Sequence, residues 1–524
     1  MSRAKTIFSG AIVISVFGLL SRIFGLIRDR ILAGQFGNGD FLDIYYAGFR
    51  IPDLFLNLIG LGVLSAAFIP VVTGFIKNED AKKFDDNKEA WVLTNKILNA
   101  FLSIFFVGSA LFIIFAPQIV PLITPGFGGD KLRLTIRVSQ IMFLSPLFLG
   151  ASNVFGGALQ SFRRFLAFSS APIFYNLGII LGALIFVKWW GIYGLAAGVV
   201  VGAAAHCFLQ WIACRRIGYR YQPLFKLRDN ALIKVVKLLV PRVLGAATAQ
   251  INLLVITIIG STLAVGSLTI FNLANNIQYL AIGLVAMPLA LALFPVLAKM
   301  GADKNLSEFN SQLSRSLRQI IFLMLPATVL LIVLRVPIVE LILGNGKFGA
   351  AAIKLTADVL AAFAVSLFAQ AMIPVLARAF YSLQNTAIPF FTGLAAAALN
   401  IILGYFLSKS FGISGLVVGF SISNIFNVVL LWILLKPKLR GFPVVGFWRA
   451  ALKTFVASVA MLVVAIAVYS WLAQFNFVGF IGALVELLVV SILASVVFIL
   501  IVLLVKSEEF EAIRRRVLAS FVKS

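Results

Sequence analysis

The chain has 524 residues, of which 61% are hydrophobic and only 12% charged, and its mean hydropathy is +1.05. This composition excludes an ordinary soluble domain and indicates an integral membrane protein. The formal net charge of +25 does not indicate nucleic-acid binding, because the Lys and Arg residues cluster in short loops between apolar segments. Anionic membrane lipids are the expected partners of that charge, and no nucleic-acid partner is expected.

Apolar segments long enough to cross a bilayer recur along the whole chain. About twenty apolar residues suffice for one span. The first segment follows a basic start and lacks a small-residue cleavage site, so we interpret it as a retained helix rather than a cleaved signal peptide. The sequence predicts an all-α fold with about fourteen transmembrane helices, near 6–35, 40–76, 90–116, 132–160, 165–188, 191–214, 232–261, 266–299, 316–344, 351–384, 387–408, 411–435, 450–474 and 478–505.

The charge of the loops alternates between these segments. Every second loop is basic, as at 77–88, 215–228 and 436–440, and both ends of the chain are basic as well. The loops between them are nearly bare of charge, as at 37–40 and 260–267. The positive-inside rule then predicts that both termini are cytoplasmic, which requires an even number of spans.

The chain also repeats itself. Three stretches recur about 220 residues later: 66–84 as 291–309, 119–135 as 338–356, and 190–204 as 411–425. The repeat predicts a six-helix lobe at 1–220, a second and pseudo-symmetric lobe at 221–440, and two added helices with a basic tail at 441–524. Transporters with parallel repeats bind substrate between the halves near the midplane and rock one half against the other.

The first two predicted helices carry charge inside otherwise apolar sequence. An ionisable side chain at bilayer depth costs about 2.5–3.5 kcal/mol, so such residues are expected to face a partner or a wet cavity. Seven-residue spacing places Arg22 and Asp29 on one helix face, and Asp43 and Arg50 on another. Two interpretations stay open. These residues pair with each other for structural reasons, or they form with Arg28 a cationic pocket for an anionic headgroup.

No motif for enzyme chemistry occurs at a recognisable spacing. The glycine-rich stretches at 123–129 and 344–349 are predicted turns, and the mixed-charge stretch at 77–90 is a predicted cytoplasmic loop. The chain offers no nucleotide-binding motif, so we expect no cofactor and a driving force from membrane potential or a monovalent cation gradient. Cys207 and Cys214 stand seven residues apart on one predicted helix, too far for a disulfide, and His206 is expected to make a helix contact.

Several motifs resemble the MurJ/MviN lipid II flippases of the multidrug/oligosaccharidyl-lipid/polysaccharide exporter superfamily. They are SRIFGLIRD at 21–29, the Asp-x6-Arg-x-Pro run at 43–52, TPGF at 124–127, GNGKF at 344–348 and AFYSLQNTAIP at 379–389. The resemblance implies a transporter, not an enzyme, in the bacterial inner membrane. Such a protein moves an undecaprenyl-pyrophosphate-linked muropeptide, the peptidoglycan precursor lipid II, to the outer leaflet by alternating access through a V-shaped cavity.

The resemblance also implies roles for single residues. Arg28 would bind the pyrophosphate together with Arg22 and Arg50, while Asp29 and Asp43 would hold these arginines in place. Asn57 and Asn276 would line the same cavity. Further polar positions are expected from the later spans, with Arg378 in the tenth and Arg242 in the seventh.

The chain departs from the family pattern at three places. Leu56 and Asn57 stand where the family usually has an arginine pair. Amides and a tyrosine replace an Asp-Arg pair and a Glu in the eighth span, at Asn275, Asn276 and Tyr279. In the tenth span Pro374 stands at the position of an expected lysine. Amides can still donate hydrogen bonds to phosphate, but without the assistance of charge.

Two other functions remain open at this point. One is export of another polyprenyl-linked saccharide or of an amphiphile within the same superfamily. The other is a non-transporting membrane scaffold that recruits cell-wall synthesis proteins through its basic loops. The change Arg28→Glu separates the scaffold from a flippase, because only a flippase needs the charge of Arg28.

Overall fold

The computed structural model describes residues 3–59, 63–79, 83–224, 250–439, 441–475, 477 and 479–521, and every regular element among them is helical. This agrees with the predicted all-α class. The helices are α1 Arg3–Phe36, α2 Asp40–Ile59, α3 Val63–Thr73, α4 Lys88–Ile123, α5 Gly129–Met142, α6 Ser145–Ser161, α7 Phe165–Leu181, α8 Val187–Trp190, α9 Ile192–Arg216, α10 Gln250–Ser261, α11 Ser267–Ala302, α12 Leu306–Val333, α13 Arg335–Leu343, α14 Ala350–Ala364, α15 Leu367–Ser382, α16 Ala387–Leu435, α17 Val444–Ala473, α18 Gly479–Leu504 and α19 Glu508–Phe521.

Internal contacts divide the chain into two compact units, Met1–Thr269 and Ile270–Ser524. In the first unit, α7 packs along both α9 and α1, and α6 packs along α9. Glycine makes the α7–α9 contact possible, because a Cβ atom on Gly178 would lie only 2.2 Å from the Cα of Gly202. The charged part of α1 thus lies beside α7.

In the second unit, α12 packs against α15 and α17, α15 packs against α16, and α17 packs against α18. Its core contains fully buried aromatic side chains from α12, α14 and α15, namely Phe309, Phe363 and Phe380. The predicted lobe boundaries at 220 and 440 come from the sequence repeat, whereas the two units are defined by internal contacts. The lobe boundaries therefore stay a prediction.

The internal repeat has a counterpart in the backbone. Gly191 begins α9 with φ 53° and ψ −136°, and Gly412, 221 positions later, breaks α16 with φ 56° and ψ −137°. At the same offset, Arg163 and Gln384 both have a positive φ, 56° and 57°. Two unusual local geometries therefore recur at the spacing that the sequence repeat predicts.

Most of these helices suit a membrane. Among the described residues, nine helices are long and apolar enough to cross it, and α14 with α15, bent by 43°, makes a tenth if the pair is one span. Large apolar side chains stay exposed on them, such as Phe106 at 66% and Leu122 at 73%, as a lipid-facing surface requires. The chain is a multi-span membrane protein. The predicted seventh span and Arg242 fall mainly on residues 225–249, which lie outside the described residues.

Candidate functional site

The centre of the candidate site is an ion pair on α1. Arg28 donates from Nε and Nη2 to Oδ1 of Asp29, at 3.0 and 2.8 Å. The Asp29 side chain is only 3% exposed, whereas that of Arg28 is 20% exposed. A buried carboxylate is stable only when it is paired, and Arg28 supplies the opposite charge for Asp29. The guanidinium of Arg28 itself remains partly exposed.

A second helix fixes the same guanidinium. Arg28 Nη1 donates to Oδ1 of Asn176 on α7, at 3.1 Å. The amide of Asn176 is itself oriented, because its Nδ2 donates to the backbone oxygens of Pro172 and Ser21 at 3.1 and 3.3 Å. The amide oxygen can therefore only face the arginine. Neighbours on α1 and α7 together use three of the five N–H donors of Arg28.

Three tyrosines surround this pair. Tyr45 and Tyr46 lie on α2 with ring centroids 5.1 Å apart, and Tyr175 precedes Asn176 on α7. All three lie within electrostatic range of Arg28. Among the described residues, the buried hydroxyl oxygens of Tyr46 and Tyr175 have no hydrogen-bond partner. An unsatisfied buried polar group costs about 1–3 kcal/mol, so a ligand that pairs with these hydroxyls gains that energy.

The next turns of α2 extend the polar surface. Arg50, Asp53 and Asn57 recur at intervals of three and four residues and thus share one face of the helix. Asp53 accepts a side-chain hydrogen bond from Asn57 and lies in the field of Arg50. Arg50 is only 8% exposed and donates from Nε to the hydroxyl of Thr257 on α10 at 2.8 Å.

Asp43, near the other end of α2, accepts hydrogen bonds from the backbone at the start of α11. Its carboxylate accepts from the backbone N–H of Gly266 and Thr269 at 2.8 and 3.0 Å, and from the Thr269 hydroxyl at 2.8 Å. Lys131 on α5 lies 3.2 Å from Asp43 and 2.5 Å from Asp40. A carboxylate at a helix N-terminus satisfies free N–H groups and the helix dipole. The ring of contacts gives Asp43 a positioning role in the structure.

The second unit contains the remaining predicted residues. Arg378 donates from Nη1 to the carbonyl of Pro374 on its own helix at 3.3 Å, and Asn276 lies partly buried on α11. Near Asn276, the fully buried Gln278 exchanges two amide hydrogen bonds with Gln370 on α15, at 3.3 and 3.1 Å. Amides therefore form a satisfied, uncharged network in this unit.

The structure pairs some of the predicted residues. In the first unit Arg28 pairs with Asp29 on α1, Arg50 and Asn57 share one face of α2, and Arg22 lies on the same helix as Arg28, partly buried. Sequence reasoning missed Asn176, Thr257 and the three tyrosines. A signal existed for two of them, since Tyr175 and Asn176 are polar side chains within the apolar helix α7. None existed for Thr257, which is one of many hydroxyls in apolar helices.

Two smaller predictions are confirmed. His206 makes a helix contact, with its Nδ1 2.7 Å from the hydroxyl of Ser152 on α6. Cys207 and Cys214 are free thiols. Among the described residues no group of three or more His, Cys, Asp or Glu side chains could hold a metal ion, and the ion that drives transport stays a matter of prediction.

Apolar membrane helices around a buried cluster of charged, amide and hydroxyl side chains define a polytopic membrane transporter. Comparison with solved structures shows a shared fold. The inward-facing structure of a multidrug resistance MATE family transporter of the MOP superfamily matches 80% of this chain and 95% of its own, with a TM-score of 0.66 at 13% identity.

The sequence identifies the family within this class. The family model of the Lipid II flippase MurJ matches residues 32–505, and the chain belongs to that family. The probable lipid II flippase MurJ of Bdellovibrio bacteriovorus is 29% identical over 521 residues, which cover 98% of this chain and 97% of the relative. A structure of lipid II flippase MurJ in an inward closed conformation has the same fold, with a TM-score of 0.74 at 24% identity over 93% of this chain and 98% of that one. The resemblance seen in the motifs is confirmed.

Proposed function

We propose that this chain is a lipid II flippase, which carries the lipid-linked peptidoglycan precursor from the cytoplasmic to the outer leaflet of the bacterial inner membrane by alternating access. Family membership supports the cargo class, because the relatives are named for it. The observation that carries the proposal is the partly open guanidinium of Arg28, held at bilayer depth by Asp29 and Asn176.

Arg28 is the proposed primary ligand of the pyrophosphate. A guanidinium offers a planar fork of donors that fits phosphate oxygens, and two of its five N–H groups are not used by Asp29 or Asn176. The hydroxyls of Tyr46 and Tyr175 supply uncharged donors beside it. Arg22, Arg50 and Asn57 extend the site along α1 and α2. Asp29 holds the guanidinium of Arg28 in place, and Asp43 holds the start of α11 in place.

The polar residues of the second unit are proposed to face the saccharide and peptide parts of the cargo. Asn276 and Arg378 are the residues predicted for this role. The amides of Gln278 and Gln370 bond to each other and add no charge to this unit, which suits the uncharged hydroxyl and amide groups of the cargo.

Fourteen spans remain the proposed topology. Nine described helices and the bent pair α14–α15 supply ten candidates. The helix Ala387–Lys438 has 52 residues, about 78 Å at the usual rise, and Gly412 interrupts it, so we count it as two spans. The charged helices α1 and α2 and the segment that ends in α10 complete the number. Both termini then lie on the cytoplasmic side.

The transport cycle is proposed to draw on the membrane potential or a monovalent cation gradient. A lipid II headgroup is anionic, so its movement to the outer leaflet responds to the potential, with about 2.3 kcal/mol per charge per 100 mV. Rocking of two halves about a fixed site exposes that site to each leaflet in turn.

Transbilayer movement of lipid II in proteoliposomes tests the proposal. We expect the purified protein to move lipid II under an imposed potential or cation gradient, Arg28→Ala to abolish movement, and Arg28→Lys to retain part of it, because lysine keeps the charge but loses the fork. Arg133→Ala is the matched control, since Arg133 is 69% exposed and pairs only with Asp130 in the described structure.

Other results would favour the alternative functions. Folded protein that moves another polyprenyl-linked saccharide but not lipid II would identify an exporter of different cargo. Folded protein that moves neither, together with normal cell growth of an Arg28→Glu strain, would identify a scaffold.

A further inference from the structure

A groove lies between α4 and α6 on the lipid-exposed surface of the first unit. Its volume is about 450 Å³, within the range of binding pockets for small ligands. Its apolar lining includes Leu102, Phe106 and Phe148, and Phe106 and Phe148 are 66% and 39% exposed. One end is polar, because Asn99 and Tyr221 also border the groove.

Asn99, which lines this groove, has a buried acceptor that none of the described residues uses. The residue is only 2% exposed, and its Nδ2 donates to the backbone oxygens of Gln222 and Leu224 at 2.9 and 3.2 Å. These two carbonyl acceptors fix the amide orientation, since the flipped amide would bring oxygen against oxygen. Among the described residues, Oδ1 of Asn99 has no partner. A buried acceptor that lines a groove calls for a donor from a ligand.

The polar end of the groove lies beside a basic segment. After α9, residues 219–224 run across α4, held by the hydrogen bond from Asn95 Nδ2 to the carbonyl of Arg220 at 2.9 Å. The hydroxyl of the buried Tyr219 donates to Oδ1 of Asn95 at 2.7 Å, and burial raises the pKa of Tyr219, so it stays protonated. This anchoring leaves the side chain of Arg220 exposed next to Tyr221. An exposed cation is thus carried by the residue that directly precedes Tyr221 of the groove lining.

The order of groups along the groove matches one phospholipid. Along α4 the lining begins with the buried amide of Asn99, passes Leu102 and Ser103 and ends at the ring of Phe106, seven residues or about 10 Å of helix further on. The same order, from headgroup to acyl chain, occurs in a lipid of the leaflet next to the basic loops. The headgroup must be anionic for Arg220 and must carry a hydrogen-bond donor for Asn99.

We propose that this groove is a binding site for an anionic phospholipid with a glycerol headgroup, such as phosphatidylglycerol. The phosphate lies against Arg220, a headgroup hydroxyl donates to Asn99 Oδ1, and an acyl chain lies along Leu102, Phe106 and Phe148. The site is separate from the Arg28 cluster and does not depend on the cargo.

Native mass spectrometry of the delipidated protein tests the site. The full chain in detergent is mixed with phosphatidylglycerol or, in parallel, with phosphatidylcholine, and the bound lipid is counted. We expect tighter binding of phosphatidylglycerol, and a loss of affinity of about tenfold or more in Ala151→Phe, because the new ring fills the groove without removing any hydrogen bond. Arg220→Gln should lose affinity for phosphatidylglycerol but not for phosphatidylcholine.

Two matched controls should leave binding unchanged. Val107→Phe adds a ring at a 54% exposed position of α4 that does not border the groove, and Arg133→Gln removes an exposed arginine elsewhere in the unit. Thermal unfolding of each variant confirms that it is folded.

Three results would overturn the proposal. Equal binding of both lipids that is insensitive to Ala151→Phe would mean ordinary annular lipid. Equal binding that Ala151→Phe abolishes would mean an acyl-chain groove without headgroup selection. Displacement of phosphatidylglycerol by a polyprenyl phosphate at similar concentration would assign the groove to the cargo tail.

Discussion

Arg28 is fixed from two sides by groups of different charge. Asp29 supplies the counter-charge that makes its burial possible, and Asn176 supplies direction without charge. Two charges taken out of water lose several kcal/mol of solvation each, which one ion pair recovers only with good geometry. A pair that is exposed on the arginine side alone keeps the arginine available to an anion.

Asn176 is expected to act as a positioning residue for Arg28. In Asn176→Ala the guanidinium loses its fixed direction, and lipid II movement should fall by about tenfold. Asn176→Asp, which keeps an acceptor for Nη1, should recover part of the rate. The comparison is made in proteoliposomes.

Asn424→Ala is the control for this prediction, because Asn424 is a partly buried membrane asparagine whose amide donates to its own helix, at the carbonyl of Phe420. If Asn176→Ala transported as fast as Asn424→Ala, a positioning role for Asn176 would be ruled out.

Asp43 is expected to contribute mainly to the stability of the folded protein. Asp43→Ala leaves the N–H groups of Gly266 and Thr269 at the start of α11 without their acceptor and removes one of the two carboxylates beside Lys131; breaking such a buried pair costs about 3–5 kcal/mol. Thermal unfolding in detergent should show a clear drop in the midpoint. Asp43→Asn keeps one acceptor oxygen and should lie between Asp43→Ala and the wild type; an unchanged midpoint in Asp43→Ala would contradict this role.

At the scale of helices, two glycines at equivalent positions of the repeat set where a long apolar segment is interrupted. Gly191 and Gly412 adopt nearly the same backbone angles, with positive φ, and a Cβ atom on either would meet no neighbour within 4 Å. The space is therefore open and only the backbone conformation demands glycine. At these two positions the backbone conformation requires glycine, whereas at Gly178 the close packing of two helices requires it.

Gly191→Ala and Gly412→Ala are expected to destabilise the protein by similar amounts, about 1–3 kcal/mol each, because both place a side chain in a backbone region that favours glycine. Thermal unfolding of the two variants measures this. Gly446→Ala is the control, since Gly446 has ordinary backbone angles and open space around it. Opposite effects at the two positions would show that the repeat is not energetically equivalent.

Over the whole molecule, charge in the loops and length of the helices set the topology. The long helices place their apolar side chains outward, and basic residues follow them at alternate ends, as in the segment after α9. The hydrocarbon core spans about 30 Å, which twenty helical residues cover. Helices of 26 to 36 residues, such as α18 and α11, therefore extend beyond the core or cross it at a tilt.

Labelling of single cysteines in a variant without Cys207 and Cys214 is expected to place both termini in the cytoplasm. A cysteine at position 4 or 522 should react only after the membrane is permeabilised, and one at position 38 should react in intact cells. Reaction of position 522 but not of position 4 in intact cells would require an odd number of spans and would contradict the proposed fourteen.

The sequence by itself determined the class of this protein, because composition, span length and loop charge are properties of neighbouring residues. It also pointed to Arg28 and Asp29, since a charge inside an apolar run is conspicuous without any structure. Gly191 and Gly412 could be matched by the repeat, although their angles could not.

Only the tertiary structure decided which groups hold these charges. Asn176 and Thr257 lie 148 and 207 positions from Arg28 and Arg50 respectively, and ordinary polar residues at such distances carry no local signal. The same holds for Asp43, whose partners at the start of α11 lie 223 and 226 positions away. Helical periodicity determines which face a side chain occupies, but the packing of helices determines what lies opposite that face.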